Sequence, residues 1–135
     1  MSAAKAFIDT NIFIYIYSGT ETQKRNDAMR TINLYDRVIS TQVLNEFCNV
    51  CLKKIGIPKP MVEESLKKMS SLCELVNVYE STVFKALEIH AKYRYAYYDS
   101  LMIASALETG CNYLISEDMA DSQIIEGILI IKNIF

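Results

Sequence analysis

At 135 residues and a formal net charge of −2, the chain has the length of one domain of common size and lacks a chain-wide basic field for coating nucleic acid. Its 51% hydrophobic and 22% charged residues exclude a disordered chain and allow a core without staples. The longest apolar run, Ile12 to Tyr17, is far short of a membrane span, and Met1 to Ala4 is too brief for a leader segment, so a soluble cytoplasmic protein is expected.

Lys5 to Ile8 reads as a first strand ending at Asp9. Thr10 and Asn11 offer a helix start, and Ile12 to Tyr17 continues as a short apolar helix stopped near Gly19. Gln23 to Leu34 follows as a second helix, with Ala28, Ile32 and Tyr35 at helical spacing. Arg37 to Ser40 is a second strand. Thr41 then begins a helix to about Ile55 whose stripe of Val43, Leu44, Phe47, Val50 and Cys51 fits a helical period. Pro60 suits the first turn of a helix through Leu72.

Leu75 to Val78 is a third strand, and Ser81 or Thr82 caps a helix to about Tyr93. Asp99 opens a helix that is apolar nearly all round, from Leu101 to Leu107, and should be buried; Gly110 is placed to end it. Asn112 to Ile115 is a fourth strand and Ile128 to Ile131 the last. Alternating strands and helices predict a parallel sheet with helices on both sides, in one domain spanning residues 1–135.

In such a sheet, sites form at the carboxyl ends of strands. Asp9 follows the first strand, Asp118 the fourth, Glu46 lies early in the helix after the second, and Asp99 starts the buried helix. Each has an ordinary alternative: Asp9 and Asp99 as helix caps, Glu46 as a solvated acid near a helix start, and Asp118 as a turn residue. Taken together they fall where the topology expects one crevice. Clustered carboxylates repel unless a cation lies between them, and hard oxygen ligands suit Mg²⁺ or Mn²⁺. Such an ion can activate water against a phosphodiester, so no histidine base is required.

The lone His90 lies mid-helix, away from that crevice, and reads as a satisfied or exposed helical residue. Cys48 and Cys51 form a C-x-x-C without a second pair, and Cys73 and Cys111 stand alone, so reduced, buried thiols are expected. Neither a G-x-x-x-x-G-K-[ST] nor a G-x-G-x-x-G phosphate cradle is present, and no serine has the G-x-S-x-G context. Tyr93, Tyr95, Tyr97 and Tyr98 with Arg94 directly precede Asp99. They read either as core-capping tyrosines or as a platform for unpaired bases, with Tyr95 and Tyr97 stacking and Arg94 on phosphate.

Four stretches carry a resemblance: Phe7-Ile8-Asp9-Thr10-Asn11, Ser40-Thr41-Gln42-Val43-Leu44-Asn45-Glu46-Phe47, Tyr98-Asp99-Ser100-Leu101-Met102-Ile103-Ala104-Ser105-Ala106 and Leu114-Ile115-Ser116-Glu117-Asp118-Met119. In that order and spacing the chain resembles the PIN-domain ribonucleases, and among them the VapC-like toxins of toxin–antitoxin pairs. The resemblance implies a PIN-like three-layer α/β/α fold with a four- to five-stranded parallel sheet. It implies Mg²⁺- or Mn²⁺-dependent endonucleolytic cleavage of RNA. Asp9, Glu46, Asp99 and Asp118 match the family's acids and would hold metal and its water, while Asn11 and Ser116 match supporting polar positions. A homodimer and a VapB-like antitoxin partner are implied as well. Where many relatives carry a glycine after the fourth acid, this chain has Met119-Ala120-Asp121-Ser122, which makes Asp121 either a further supporting acid or a solvated turn residue.

Two other functions fit parts of the pattern. A PIN-like module that binds RNA or protein without cutting would be expected to have lost some of the four acids. A phosphoacceptor domain needs an acid pair at the first strand and a lysine in a loop after the last. Here Asp9 stands alone, and Lys132 ends the last strand.

Overall fold

The computed structural model describes residues 3–18 and 21–135. Its elements are β1 (Lys5–Ile8), α1 (Thr10–Ser18), α2 (Thr22–Ile32), β2 (Asp36–Ser40), α3 (Thr41–Asn49), α4 (Lys59–Leu72), β3 (Glu74–Val76), α5 (Glu80–Tyr93), α6 (Tyr97–Glu108), β4 (Tyr113–Ile115), β5 (Ile124–Ile125) and β6 (Leu129–Lys132). The expected helix stop near Gly19 falls outside the described residues.

The strands form one sheet in the order β3-β2-β1-β4-β6-β5. All neighbours run parallel except β5 and β6. The predicted four- to five-stranded parallel sheet is thus present with an antiparallel edge added. β5 and β6 join through Glu126 and Gly127, at φ +52° and +68°. Paired left-handed residues give the backbone twist that a tight hairpin requires.

Short apolar strands of the type Ala6-Phe7-Ile8 and Leu114-Ile115 are buried on both faces, as a helix-covered parallel sheet demands. α6 is buried from Ser100 through Ala106. It packs against β1, β2 and β4 on one side and most extensively against α5 on the other. Its nearly all-round apolar composition is therefore the correct solution for a helix enclosed between a sheet and another helix. Gly110, at φ +71°, turns the chain out of this helix towards β4.

Three helix termini differ from expectation. α3 does not continue as α-helix to Ile55; from Val50 to Ile55 the winding is π-helical, ending on Gly56 at φ +78°. α6 starts at Tyr97, so Asp99 lies inside its first turn rather than capping it. α5 starts at Glu80, and Thr82 accepts a hydrogen bond from the Tyr79 N–H at 3.0 Å, so the cap reaches back from inside the helix. His90 is exposed and donates from Nδ1 to the Tyr95 carbonyl oxygen at 2.6 Å. All four thiols are free. Among the described residues, no helix is long and apolar enough to cross a membrane.

Ile103 is fully buried where α6 meets the sheet. Ile103→Ala is expected to destabilise the protein by roughly 2–5 kcal/mol, measured by denaturant unfolding. A loss below ~1 kcal/mol would show that α6 is not tightly packed there.

Candidate functional site

Strand register creates the centre of the site. Ile8 of β1 pairs with Ile115 of β4, and the Asp9 N–H donates to the Ile115 carbonyl at 3.0 Å. The next residues, Asp9 and Ser116, therefore emerge side by side at the carboxyl ends of two adjacent parallel strands. The chain switches direction across the sheet between these strands, since β2 lies on the other flank of β1. Crevices in open α/β sheets form at such a switch point.

Asp9 is buried and accepts two hydrogen bonds. The Thr10 N–H reaches its Oδ1 at 2.7 Å, and the Ser116 hydroxyl reaches its Oδ2 at 2.9 Å. Ser116 Oγ also accepts the Asp118 N–H at 3.2 Å, shaping the β4 exit. Asn11 Nδ2 donates to Asp118 Oδ2 at 2.7 Å. Asn11 and Ser116 thus tie the loops after β1 and β4 together and hold two of the acids. Beyond Asp118, Ser122 adopts φ +68°, the left-handed backbone that glycine favours.

The electrostatics join all four acids. Burial pushes the Asp9 carboxyl up to about 6; the Ser116 and Thr10 bonds pull it back, and Asp99 and Asp118 raise it further. Burial pushes Glu46 up to about 7, with Asp9 and Asp99 adding to the rise and Thr10 and Gln42 opposing it. Asp99 is also raised, first by burial and then by Asp118. By these couplings, residues from four separate stretches lie within electrostatic reach of one another. Among the described residues, none of the four makes a salt bridge with a lysine or arginine.

The donor set fits a hard cation. Four buried side-chain oxygens lack a hydrogen-bond partner among the described residues. Two of them, Ser40 Oγ and Glu46 Oε2, lie at the end of β2 and in the helix that follows, while Thr10 Oγ1 interacts with Glu46. No three acids, cysteines or histidines among the described residues stand in ion-enclosing geometry. An ion bound there would take few direct protein ligands and meet the remaining acids through its waters, as Mg²⁺ does.

Other candidates fall elsewhere. Asp121 is tied to the chain's end: Oδ1 accepts the Asn133 N–H at 2.9 Å and Oδ2 the Ser122 hydroxyl at 3.3 Å. That anchoring role replaces the supporting role expected near the four acids. Tyr95 is not a free stacking face, because its hydroxyl bonds Gln123 Oε1 and accepts the Ala120 N–H at 3.2 Å. Tyr97 packs partly buried against the cluster of Ala86, Leu101 and Ala104. Arg94 is exposed at the left-handed end of α5.

The exposed tyrosine is Tyr98, at 58%. It borders a cavity of about 400 Å³ beside Glu46, lined also by Gln42, Asn45, Asn49, Val50 and Lys54. Sequence reasoning overlooked this wall, although Gln42, Asn45 and Asn49 stand at i, i+3 and i+7 on one helix face. The unforeseen cluster after Ser116 is different in kind. Glu117 accepts from Tyr15 at 2.6 Å and from Lys24 at 2.8 Å, and Lys24 also lies over the Tyr15 and Phe135 rings. Burial pushes Glu117 up, but the Lys24 and Tyr15 bonds outweigh it, and its carboxyl ends below the usual range. That is a structural ion pair closing the end of the chain onto α1 and α2.

These features define an α/β protein whose acids gather at the switch point of a mainly parallel sheet. The sequence pattern of the PIN domain family matches residues 6–121, and the chain belongs to that family. No curated protein matches it significantly in sequence. A toxin–antitoxin complex from Klebsiella pneumoniae contains a chain of the same fold, with a TM-score of 0.73 at 20% identity over 96% of this chain and 98% of that one. DNA-bound VapBC from Salmonella typhimurium gives 0.70 at 17% identity, over 95% and 98%. VapC20 from Mycobacterium tuberculosis, a sarcin-ricin loop cleaving toxin, gives 0.68 at 16%, over 81% and 86%.

The raised carboxyls have a sign. A carboxylate whose folded pKa lies above its ordinary value favours the folded state at low pH and loses that contribution as pH rises. For Asp9 the window runs from about 4 to about 6. Glu117, Glu126 and Glu63 are shifted down and act in the opposite direction, so the comparison must be made between variants. Metal-free Asp9→Asn is expected to exceed wild type by roughly 3 kcal/mol at pH 8 and to match it near pH 4, by denaturant unfolding. Equal stability at both pH values would mean that Asp9 carries no electrostatic strain.

Proposed function

We propose that this protein is a divalent-metal-dependent endoribonuclease of the cytoplasm, the single-domain toxin of a toxin–antitoxin pair. The observation that carries the reading is the buried Asp9 carboxylate, held by Thr10 and Ser116 at the ends of β1 and β4, with Glu46, Asp99 and Asp118 coupled to it or to one another and no cationic partner for any of the four among the described residues. Membership in the PIN domain family supports the nuclease part. Similarity of fold to VapC and VapBC proteins supports the toxin part.

In this reading Asp9, Glu46, Asp99 and Asp118 would hold Mg²⁺ or Mn²⁺. The ion would activate water and steady the charge that develops on a phosphodiester. The protein's own contribution is positional. The Ser116 hydroxyl and Thr10 N–H fix the Asp9 carboxylate from two sides, and Asn11 fixes Asp118. Burial on the sheet side keeps Asp9 in a medium where charge interactions are strong.

The partners proposed are an RNA substrate, a second copy of the chain and a VapB-like antitoxin. One mainly apolar groove supports a protein partner, lined by Ile16, Met29, Ile32 and Leu72. The competing reading is an inactive PIN-like module that binds without cutting. It has less support, because all four acids are retained and two of them, Asp9 and Asp118, are held by dedicated hydrogen bonds.

Asp9→Ala and Asp99→Ala are expected to reduce RNA cleavage to background while circular dichroism stays unchanged. Ser116→Ala is expected to lose roughly 10- to 100-fold in rate, as for a residue that orients a ligand. Chelation with EDTA should stop the reaction, and Mg²⁺ or Mn²⁺ should restore it. Retained cleavage in both aspartate variants would reject the nuclease reading, and calorimetry showing no Mg²⁺ or Mn²⁺ binding would favour the inactive module.

A further inference from the structure

On the nuclease reading, the four acids account for cutting a phosphodiester but not for holding an RNA. The cavity beside Glu46 has the chemistry for that task. One wall is the face of α3 that carries Gln42, Asn45 and Asn49, with Glu46 among them. Asn45 and Asn49 are exposed. Each carboxamide offers both a donor and an acceptor, the combination needed to bond a base edge. Tyr98 also borders the cavity, its ring in a T-shaped contact with Tyr97 at 5.6 Å. Lys54 brings a cation to the same cavity and makes no salt bridge among the described residues.

We propose that this cavity reads one unpaired nucleobase of an RNA next to the scissile phosphate. Tyr98 is its stacking face, Asn45 and Asn49 its edge-reading groups, and Lys54 its phosphate contact. The proposal rests on the nuclease reading for the identity of the neighbouring crevice. Unpaired bases are the part of RNA that small proteins can read, because they splay out onto aromatic rings and expose their edges. The π-helical winding begins at Val50, on the cavity wall, and such turns are frequent at functional sites. The placement also gives α3 two tasks: Glu46 faces the acids, while Asn45 and Asn49 face the base. A basic peptide is the competing occupant. It would find only one acid in this wall, Glu46, and that acid already belongs to the crevice.

The test measures anisotropy of short single-stranded RNAs differing at one base, with Ca²⁺ in place of Mg²⁺, and sequences the ends of products made with Mg²⁺. Tyr98→Ala is expected to weaken binding on the order of tenfold or more, and Tyr98→Phe to keep wild-type affinity. The Asn45→Ala, Asn49→Ala double variant is expected to flatten base preference beside the cut on the order of tenfold. RNA binding that needs Tyr98, in a protein with no Asp9-dependent cleavage, would support the pocket and reject the nuclease. Asp9-dependent cleavage with wild-type affinity and base preference in Tyr98→Ala would reject the pocket and keep the nuclease. Failure of wild type to bind single-stranded RNA overturns the pocket. So does a Tyr98→Ala variant that loses a protein partner while binding RNA normally.

Discussion

The structure depends on placing one carboxylate, Asp9, out of water at the end of the central strand. Burial of an acid is unfavourable unless hydrogen bonds compensate. Here the compensation comes from Thr10, its neighbour in the chain, and from Ser116, which strand pairing delivers from more than a hundred residues away. The two bonds do not return Asp9 to its ordinary range; its carboxyl stays near 6. The fold therefore retains an unfavourable local arrangement, and the rest of the sheet must supply the stability to keep it. Natural proteins commonly trade stability for a functional site in this way. The packed interior of β1, β4 and α6 is what holds the arrangement in place.

Elements whose character is local were legible in the sequence. Lys5–Ile8 and Tyr113–Ile115 are short apolar runs between polar breaks, and Lys59–Leu72 begins at a proline that only a first helical turn tolerates. The four acids were legible because strand order and chain order place them at the same edge of a parallel sheet. The β5–β6 hairpin was not. β5 spans two residues, and its turn uses Glu-Gly in place of the Asn-Gly or Asp-Gly that marks such hairpins. The π-helical winding after Asn49 was illegible for a related reason: the stripe through Val50 and Cys51 fits an α-helix equally well.

The tyrosines show how one such miss propagates. A helix opening at Asp99 leaves the preceding tyrosines in a loop, free to form a platform. The helix opens two residues earlier, and this sets Tyr97 against the Ala86 cluster and turns Tyr98 outward. Tyr95 is then captured by Gln123 and the Ala120 N–H, in the segment that leads into the unforeseen hairpin. Which ring faces solvent was decided by a helix phase and by a tertiary contact, neither of which is written in residue type. Of the two readings of Asp121, its partners at Asn133 and Ser122 favour the exposed turn residue, and those contacts exist only after the loop has folded back.

Charge pairing separates a structural from a functional reading of the acids. Elsewhere in the molecule, partly buried or clustered acids are matched by lysines. Glu117 meets Lys24, and Glu126 meets both Lys85 and Lys92 and falls to about 2. An acid kept only for structure is expected to find such a partner, because an unpaired buried charge is strongly unfavourable. Asp9, Glu46 and Asp99 have none among the described residues and are raised instead of lowered. Nor is their repulsion relieved by distance, since each is raised by at least one other acid of the group as well as by burial. Had Asp9, Glu46 and Asp99 been exposed caps or solvated acids, nothing would have raised them or coupled them to one another. A chain that pairs its acids with lysines elsewhere and leaves this group uncompensated is arranged to receive positive charge from outside, and a cation is the smallest species that can supply it.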